Sequence, residues 1–276
     1  MKRIISYIAM MSFVMASLFL GISARAEKNP EEGAMGIIAH RGFWNCEEAG
    51  YAKNSIAALR CAQENGLWGS EFDVNMTADG VLLIYHDSKI EGKTIENHPY
   101  SEFKDYTIAN GETIPTLDQY LEQGLKYPET MLVYELKPHS CEEAENRLTD
   151  LTISKLKEYD LLNPDRVMFI SFSYHICRRM AELLPEFTVQ YLGGNKSPKK
   201  LKEDGINGID YHYGIFALKP EWAKEARKLE MSTNAWTVNK AGRMRKVIGQ
   251  GIMYMTTDTP LDARRVLKEE GIREIR

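Results

Sequence analysis

The chain has 276 residues, of which 43% are hydrophobic and 27% charged, and its formal net charge is −4. This composition excludes a disordered chain and is typical of a globular protein with one sizeable core. The acidic balance argues against nucleic acid as a partner, because such binding depends on many Lys and Arg contacts to phosphates.

Residues 1–26 predict a signal peptide. Lys2 and Arg3 supply a positive start, residues 4–22 are almost wholly apolar, and Ala24-Arg25-Ala26 has the small-x-small pattern that a signal peptidase reads. Cleavage would remove three cations and no acids, which moves the formal charge from −4 to −7. The alternative is a retained membrane anchor, since an apolar helix of this length just spans a bilayer core of about 30 Å. We expect cleavage, and therefore an exported protein, periplasmic or extracellular, without a stable membrane span.

Short β-rich runs then alternate with amphipathic helical patterns. The predicted strands are residues 36–40, 70–76, 81–86, 131–136, 167–171, 188–192, 208–211, 232–238 and 252–256. Helical patterns between them include residues 55–65, 116–125, 141–159, 174–184, 220–229 and 240–248. Strand and helix repeat about eight times, which predicts an α/β chain with one (β/α)8 TIM-type barrel domain over residues 27–276. A doubly wound open sheet is the alternative.

The strand count is one too high for such a barrel, and a turn sequence explains the surplus. Thr77-Ala78-Asp79-Gly80 separates two β-rich runs, so these runs are predicted to form a hairpin. A turn centred between Ala78 and Asp79 would place Glu71 opposite His86 and Asp73 opposite Ile84. The two carboxylates and the histidine would then share one face.

A small insertion is predicted at about residues 87–115, after the second or third strand. This stretch has little helical periodicity and contains several turn-forming residues, namely Gly92, Pro99, Gly111 and Pro115. Long loops of this kind are usually functional or mobile.

Paired charged residues on two strands predict a metal site. Glu71 and Asp73 are two positions apart, so both point to the same face of their strand. Glu135 and Lys137 repeat this spacing at the end of another strand. Carboxylates this close repel one another unless a cation joins them, and oxygen-only ligands suit Ca²⁺ or Mg²⁺ rather than zinc. For Glu135 and Lys137, the alternative is a salt bridge across the barrel mouth.

Two histidines accompany these charges. His40 and Arg41 follow an apolar run, at the rim position where barrel enzymes collect catalytic groups, although a polar loop start has the same appearance. His86 ends the second arm of the predicted hairpin. Histidine titrates near neutral pH and serves as a general acid or base. The remaining histidines are interpreted as surface or core residues: His98, His139, His175 and His212.

An ordered series of motifs runs through nearly the whole mature chain. Its members are His40-Arg41-Gly42, Asn54-Ser55, Ala58, Ala62, Gly66, Glu71-Phe72-Asp73-Val74, Thr77, Asp79-Gly80, His86-Asp87, Ile114-Pro115-Thr116-Leu117, Glu135-Leu136-Lys137, Ser171-Phe172, Trp236-Thr237-Val238-Asn239 and Thr257-Asp258-Thr259-Pro260. This series resembles the signature of the glycerophosphodiester phosphodiesterase family. Lys53 departs from it, because the family usually has an acidic residue before the Asn-Thr pair.

The resemblance implies a TIM-type barrel that cleaves glycerophosphodiesters, as small-molecule substrates, into sn-glycerol 3-phosphate and an alcohol with one divalent cation. It also implies that the glycerol 2-hydroxyl is the first nucleophile and that water opens a cyclic phosphate. Carried over by position, the implied site comprises the metal ligands Glu71, Asp73 and Glu135, the acid/base pair His40 and His86, and the substrate-binding residues Arg41, Lys137 and Trp236. A core tryptophan is the alternative for the last of these.

Two rival functions differ from this one in testable ways. A related barrel enzyme that acts on lysophospholipid or sphingolipid head groups would use a similar metal and histidine pair. A non-catalytic envelope binding protein would be expected to lack one or more of the catalytic residues, all of which are present.

Cysteine usage leaves two possibilities open. Cys46, Cys61, Cys141 and Cys177 are even in number, and disulfides form in an oxidising compartment. A chain that has its own core is equally compatible with buried free thiols.

Overall fold

A computed structural model describes residues 33–276, and the predicted signal peptide lies outside the described residues. The strands are β1 (Ala34–Ala39), β2 (Gly69–Met76), β3 (Leu82–Ile84), β4 (Lys89–Ile90), β5 (Lys93–Thr94), β6 (Met131–Leu136), β7 (Val167–Ser171), β8 (Thr188–Tyr191), β9 (Gly208–His212), β10 (Ser232–Trp236), β11 (Tyr254–Thr257) and β12 (Arg273–Ile275). The α-helices are α1 (Ile56–Glu64), α2 (Leu117–Gly124), α3 (Glu142–Glu158), α4 (Tyr174–Leu183), α5 (Pro198–Glu203), α6 (Tyr213–Leu218), α7 (Glu221–Lys228), α8 (Ala241–Gly249) and α9 (Pro260–Glu269).

Eight parallel strands close into a barrel. Neighbouring strands follow the order β1, β11, β10, β9, β8, β7, β6, β2, and β1 pairs with β2 to complete the ring. The closing contact sets Ile38 opposite Gly69 and Ala39 opposite Ser70. The predicted TIM-type barrel is confirmed, and the open-sheet alternative is wrong.

Strand alternation separates the barrel interior from the outer core. On β2, Phe72, Val74 and Met76 pack in the main hydrophobic cluster, which includes residues of the surrounding helices. The intervening Glu71 and Asp73 therefore point into the barrel. The amphipathic pattern of the sequence thus directs the two carboxylates to the barrel interior.

The hairpin between β2 and β3 forms, but its predicted register is wrong by one residue. Val74 lies opposite Ile84, so Asp73 faces Tyr85 rather than Ile84, and Glu71 is not opposite His86. The cause is the turn, in which the Thr77 amide donates to the Val81 carbonyl across 3.0 Å and encloses a three-residue loop. Gly80 takes the left-handed conformation (φ +89°) that ends such a loop, whereas the prediction assumed a two-residue turn.

The predicted insertion at about 87–115 folds around its own small core. It contains the β4–β5 hairpin and two short 3₁₀ turns, Ile95–Asn97 and Tyr100–Glu102. Four of its apolar side chains form a separate buried cluster with Leu83 of β3, namely Ile90, Ile95, Phe103 and Ile114. The insertion lies between β3 and α2, beside the rim of the barrel.

Glu112 joins this insertion to the first helix of the barrel. Its carboxylate accepts the backbone N–H groups of Ile56 (2.9 Å) and Ala57 (3.2 Å), which begin α1. The side chain of Ser55 caps the next free amide, that of Ala58, at 2.9 Å. A negative charge at a helix N-terminus is stabilising, so this contact orients α1 relative to the insertion.

Two further predictions can be compared with the described residues. Within residues 33–276, no helix combines the length and apolar character that a membrane crossing requires. All four cysteines are free thiols.

We expect Glu112→Ala to lower the free energy of unfolding by about 1–2 kcal/mol, because two amides at the start of α1 lose their acceptor. Urea unfolding followed by circular dichroism measures the change. Glu102→Ala is the matched control, since it removes only an exposed ion pair with Lys93 in the same insertion and should change the free energy of unfolding far less. Equal losses in the two variants would contradict the assigned role of Glu112.

Candidate active site

Three buried carboxylates meet where β2 and β6 end. The parallel register sets Asp73 directly opposite Glu135, with Glu71 two positions earlier on the same face. One oxygen from each carboxylate lies within 4.8 Å of the others. Glu71 and Asp73 are 1% exposed and Glu135 is 8% exposed, so the repulsion between them is poorly screened by water.

Two cations balance part of this charge. The Lys137 ammonium lies 2.5 Å from Glu135 Oε1 and 3.1 Å from Asp73 Oδ1. The Arg41 Nε atom lies 3.7 Å from Asp73 Oδ2, and the Arg41 backbone amide donates to Glu71 Oε2 across 2.7 Å. Three acids against two cations leave an excess of one negative charge when all are ionised.

The pKa values reflect both burial and this crowding. Burial, followed by the charge of Asp73, raises the pKa of Glu135 to about 7 and raises that of Glu71 well above its ordinary value. Burial also opposes ionisation of Asp73, but Lys137, His86, Asn54 and Arg41 together outweigh it and lower the Asp73 pKa. The two carboxylates raise the pKa of Lys137 against the effect of its burial. The cluster therefore favours an added positive charge.

The donor set fits a hard divalent cation. All three groups are carboxylates, and the Oε1 atom of Glu71 is buried without a hydrogen-bond partner among the described residues. A buried polar atom without a partner is costly, and a cation would satisfy it. Glu71, Asp73 and Glu135 could therefore hold a metal ion, as the sequence predicted.

His40 is held beside this cluster by strand pairing. Ala39 on β1 lies opposite Thr257 on β11, so His40 meets the next residue of that strand, Asp258, and its Nδ1 lies 2.8 Å from Asp258 Oδ1. Trp44 Nε1 (3.0 Å) and Asn239 Nδ2 (2.6 Å) also donate to Asp258. Burial opposes ionisation of Asp258, but these bonds lower its pKa to about 2, so it remains an anion that orients His40.

His86 lies just beyond β3, where it interacts with the charge of Asp73. Its Nδ1 lies 2.6 Å from Asp87 Oδ1, and its side chain is 41% exposed. Partial burial of the His86 ring lowers its pKa, while the negative charge of Asp73 raises it. His86 and Lys137 line a cavity of about 570 Å³ together with Asn75, Ser88 and Lys89. A substrate in this cavity would contact both the histidine and the lysine.

Trp236 ends β10 at the same rim of the barrel. Its Nε1 donates to the Asp210 carbonyl across 2.9 Å, and its ring packs edge-on against Phe172 (5.5 Å) and His212 (5.4 Å). Phe172 is 42% exposed. Trp236 is partly buried: it ends β10 at the rim and also packs against the apolar cluster inside the barrel.

Three of the other histidines have structural partners. His98 Nδ1 lies 2.9 Å from the Thr94 carbonyl, and His175 Nε2 lies 2.8 Å from Asn146 Oδ1. The Nδ1 atom of His139 lies 2.9 Å from the Lys137 carbonyl. These contacts agree with the interpretation as surface or core residues, whereas His212 lies closer to the candidate site than that interpretation implied.

Two residues of the site were not predicted as site residues. Asn54 donates to Asp73 Oδ2 across 2.9 Å and accepts the Asp73 amide at 3.3 Å. Asp258 supports His40, as described above. Both belong to motifs of the family resemblance, Asn54-Ser55 and Thr257-Asp258-Thr259-Pro260, so the motifs were the signal that could have identified them.

Known proteins resemble this chain along most of its length. The model of the glycerophosphoryl diester phosphodiesterase family matches residues 40–262. A glycerophosphodiester phosphodiesterase from Caldanaerobacter subterraneus is 26% identical, with 81% of this chain and 94% of that protein covered.

Solved structures show the same fold. The crystal structure of a glycerophosphodiester phosphodiesterase from Parabacteroides distasonis has a TM-score of 0.84 at 40% identity, and covers 87% of this chain and 99% of its own. A phosphodiesterase from Oleispira antarctica, in complex with the product sn-glycerol-3-phosphate, has a TM-score of 0.72 at 25% identity. The match covers 85% of this chain and 97% of that protein. Because the family model spans most of the residues and a 40% identical relative matches nearly end to end, this chain belongs to the glycerophosphoryl diester phosphodiesterase family.

Proposed function

We propose that this protein hydrolyses glycerophosphodiesters to sn-glycerol 3-phosphate and an alcohol, with one Ca²⁺ or Mg²⁺ ion held by Glu71, Asp73 and Glu135. The Oleispira antarctica structure supports the product, because it holds sn-glycerol-3-phosphate. We also propose that the mature enzyme is exported to the periplasm or beyond, which the positive, apolar start of the chain supports.

The observation that carries this proposal is the convergence of three kinds of group at one rim. Two histidines accompany the buried carboxylates of β2 and β6, His40 after β1 and His86 after β3. Two cations, Arg41 and Lys137, accompany them. A phosphodiester needs charge neutralisation and proton transfer at the same place, and these groups supply both.

Arg41 and Lys137 would bind the substrate phosphate. A phosphodiester resists nucleophiles because its own negative charge repels them, so cations at its oxygens lower the barrier. A divalent cation held by the three carboxylates would supply further positive charge that offsets the charge of the phosphate. Lys137 already lies between Asp73 and Glu135, which places its ammonium at the edge of the carboxylate cluster.

His40 and His86 would move the protons. One imidazole takes a proton from the attacking hydroxyl, and the other gives a proton to the leaving alcohol. Following the family, the attacking group is the glycerol 2-hydroxyl, and water then opens the cyclic phosphate. Each ring has a carboxylate at its Nδ1, Asp258 for His40 and Asp87 for His86, which leaves Nε2 of each ring available for the substrate.

We expect His40→Ala and His86→Ala each to lower kcat for glycerophosphocholine by roughly 10²–10⁴-fold, because each removes one proton-transfer group. Choline release by the purified protein measures this loss. His175→Ala is the control, since that ring pairs with Asn146 and should leave kcat unchanged.

Chelation with EDTA should abolish activity, and Ca²⁺ or Mg²⁺ should restore it.

Full activity in either variant, or after chelation, would contradict the assigned chemistry. The same assay with lysophosphatidylcholine separates the rival function. Preferential release of the lipid head group would identify a lysophospholipid enzyme, and no turnover of either substrate class would favour a binding protein.

We expect Asp258→Asn to lower kcat by roughly 10–100-fold with little change in KM, because an amide cannot balance positive charge on His40 as a carboxylate does. Steady-state kinetics with the same substrate separates the two constants. Asp262→Asn, an exposed acid on α9, is the matched control. A rise in KM without a change in kcat would show that Asp258 contributes to binding instead.

We expect Glu71→Gln to raise the free energy of unfolding of the metal-free protein by roughly 1–3 kcal/mol at pH 7. The folded-state pKa of Glu71 is raised, so the unfolded chain releases this proton at lower pH. Wild-type stability therefore falls as pH rises above the ordinary glutamate value, and the neutral amide avoids that loss. Urea unfolding in EDTA at pH 5 and pH 7 measures the difference.

Exposed Glu122→Gln serves as the control for this charge removal. Adding Ca²⁺ or Mg²⁺ should stabilise the wild type but not Glu71→Gln, because the variant has lost a ligand. Equal stabilisation of both proteins would contradict the metal assignment.

A further inference from the structure

The loop after β1 lies directly on helix α1. Gly42 has φ +76°, and a Cβ atom there would approach the Ala58 Cβ to 2.7 Å, so the chain passes the helix at closer range than a side chain permits. The Phe43 amide donates to the Ala58 carbonyl across 3.0 Å. This bond fixes the position of the loop against the first turn of the helix.

Two thiols meet just beyond this contact. Cys46 is three residues after Phe43, and Cys61 is three residues, about one turn, after Ala58 on α1. From the bond between Phe43 and Ala58, equal steps along the loop and the helix lead to Cys46 and Cys61, and Cys46 is close enough to Cys61 to raise its pKa. Cys61 is 2% exposed within the main core, and Cys46 is a partly exposed residue packed against that core.

We propose that Cys46 and Cys61 are a redox modification site, at which an intramolecular disulfide fastens the 42–53 loop to helix α1. This proposal is independent of the hydrolytic activity. Neither remaining cysteine has a comparable setting: Cys141 is exposed at the start of α3, and the buried Cys177 thiol lies 3.6 Å from the carbonyls of Ser171 and Gln190.

The oxidant is a small-molecule disulfide such as glutathione disulfide. The Cys46 thiolate attacks one glutathione sulfur, which forms a mixed disulfide and releases one glutathione thiol. The Cys61 thiolate then attacks the Cys46 sulfur, forms the protein disulfide and releases the second glutathione. The protein loses two electrons and two protons, and both electrons reduce glutathione disulfide.

Exposure determines the order of these steps. Cys46 is the thiol that the solvent reaches, and it lies 3.1 Å from the Phe43 carbonyl. Burial raises the pKa of Cys61 to about 12, which makes it a poor nucleophile. Its attack therefore depends on a mixed disulfide held next to it on Cys46. Cys46 therefore reacts first.

The loop that the disulfide would fasten contains Trp44, which contacts the candidate active site. Trp44 donates to Asp258 across 3.0 Å, and Asp258 in turn contacts His40. The Lys53 ammonium lies 4.5 Å from the centre of the Trp44 ring. A disulfide at Cys46 would restrain Trp44, two residues away, in its contact with Asp258.

Mass spectrometry of the full chain tests the proposal directly. After treatment with glutathione disulfide, a tryptic digest without reductant should contain residues 42–53 linked to residues 61–89, lighter by two hydrogen atoms than the separate peptides. Closing a loop of about 15 residues should raise Tm by roughly 5–10 °C. Reductant should reverse both changes.

Variants separate this disulfide from other oxidation. Cys46→Ser should abolish the linked peptide and the Tm increase, and Cys141→Ser should leave both unchanged. Cys61→Ala should trap glutathione on Cys46 as the mixed disulfide. Four free thiols after oxidation, or disulfides formed only through Cys141 or Cys177, would overturn the proposal.

Discussion

The parallel pairing of β2 with β6 is the constraint on which the site depends. Because Asp73 lies directly opposite Glu135 inside the barrel, two acids are forced together where water cannot screen them, and Glu71 adds a third. Such a cluster persists only if cations and hydrogen-bond donors surround it. Lys137 and Arg41 supply the cations, so their positions follow from the register of two strands.

The same carboxylates explain the unusual backbone of the loop after β1. Arg41 (φ +57°) and Asn54 (φ +58°) both have left-handed conformations, which cost non-glycine residues about 1–2 kcal/mol each. The Asn54 amide donates to the Arg41 carbonyl at 2.9 Å, so the two residues close the loop at its ends. Both side chains lie against Asp73. Their contacts to this buried charge thus offset the backbone strain of the loop.

Local patterns predicted the barrel and most of its site, because alternation along one strand determines which residues share a face. Local patterns could not determine which residue of a neighbouring strand lies opposite a given residue. The β2–β3 register was predicted one residue out, since a three-residue turn with Gly80 replaced the assumed two-residue turn. The partner of His40 is Asp258, 218 positions away, and only the parallel pairing of β1 with β11 brings them together. The short strands β4, β5 and β12 were missed because two or three residues are too few to show alternation of apolar and polar side chains.

The rim of the barrel has two chemically different sides, and this division follows from which strands carry which residues. The charged groups end or follow β1, β2, β3, β6 and β11, whereas Phe172, His212 and Trp236 end or follow β7, β9 and β10. All parallel strands of a barrel end at one rim, so both sides face a common space. A phosphodiester has an anionic centre and less polar arms. An anion bound at the charged side would therefore leave one arm directed toward the aromatic side, where Trp236 and Phe172 offer ring surface rather than charge.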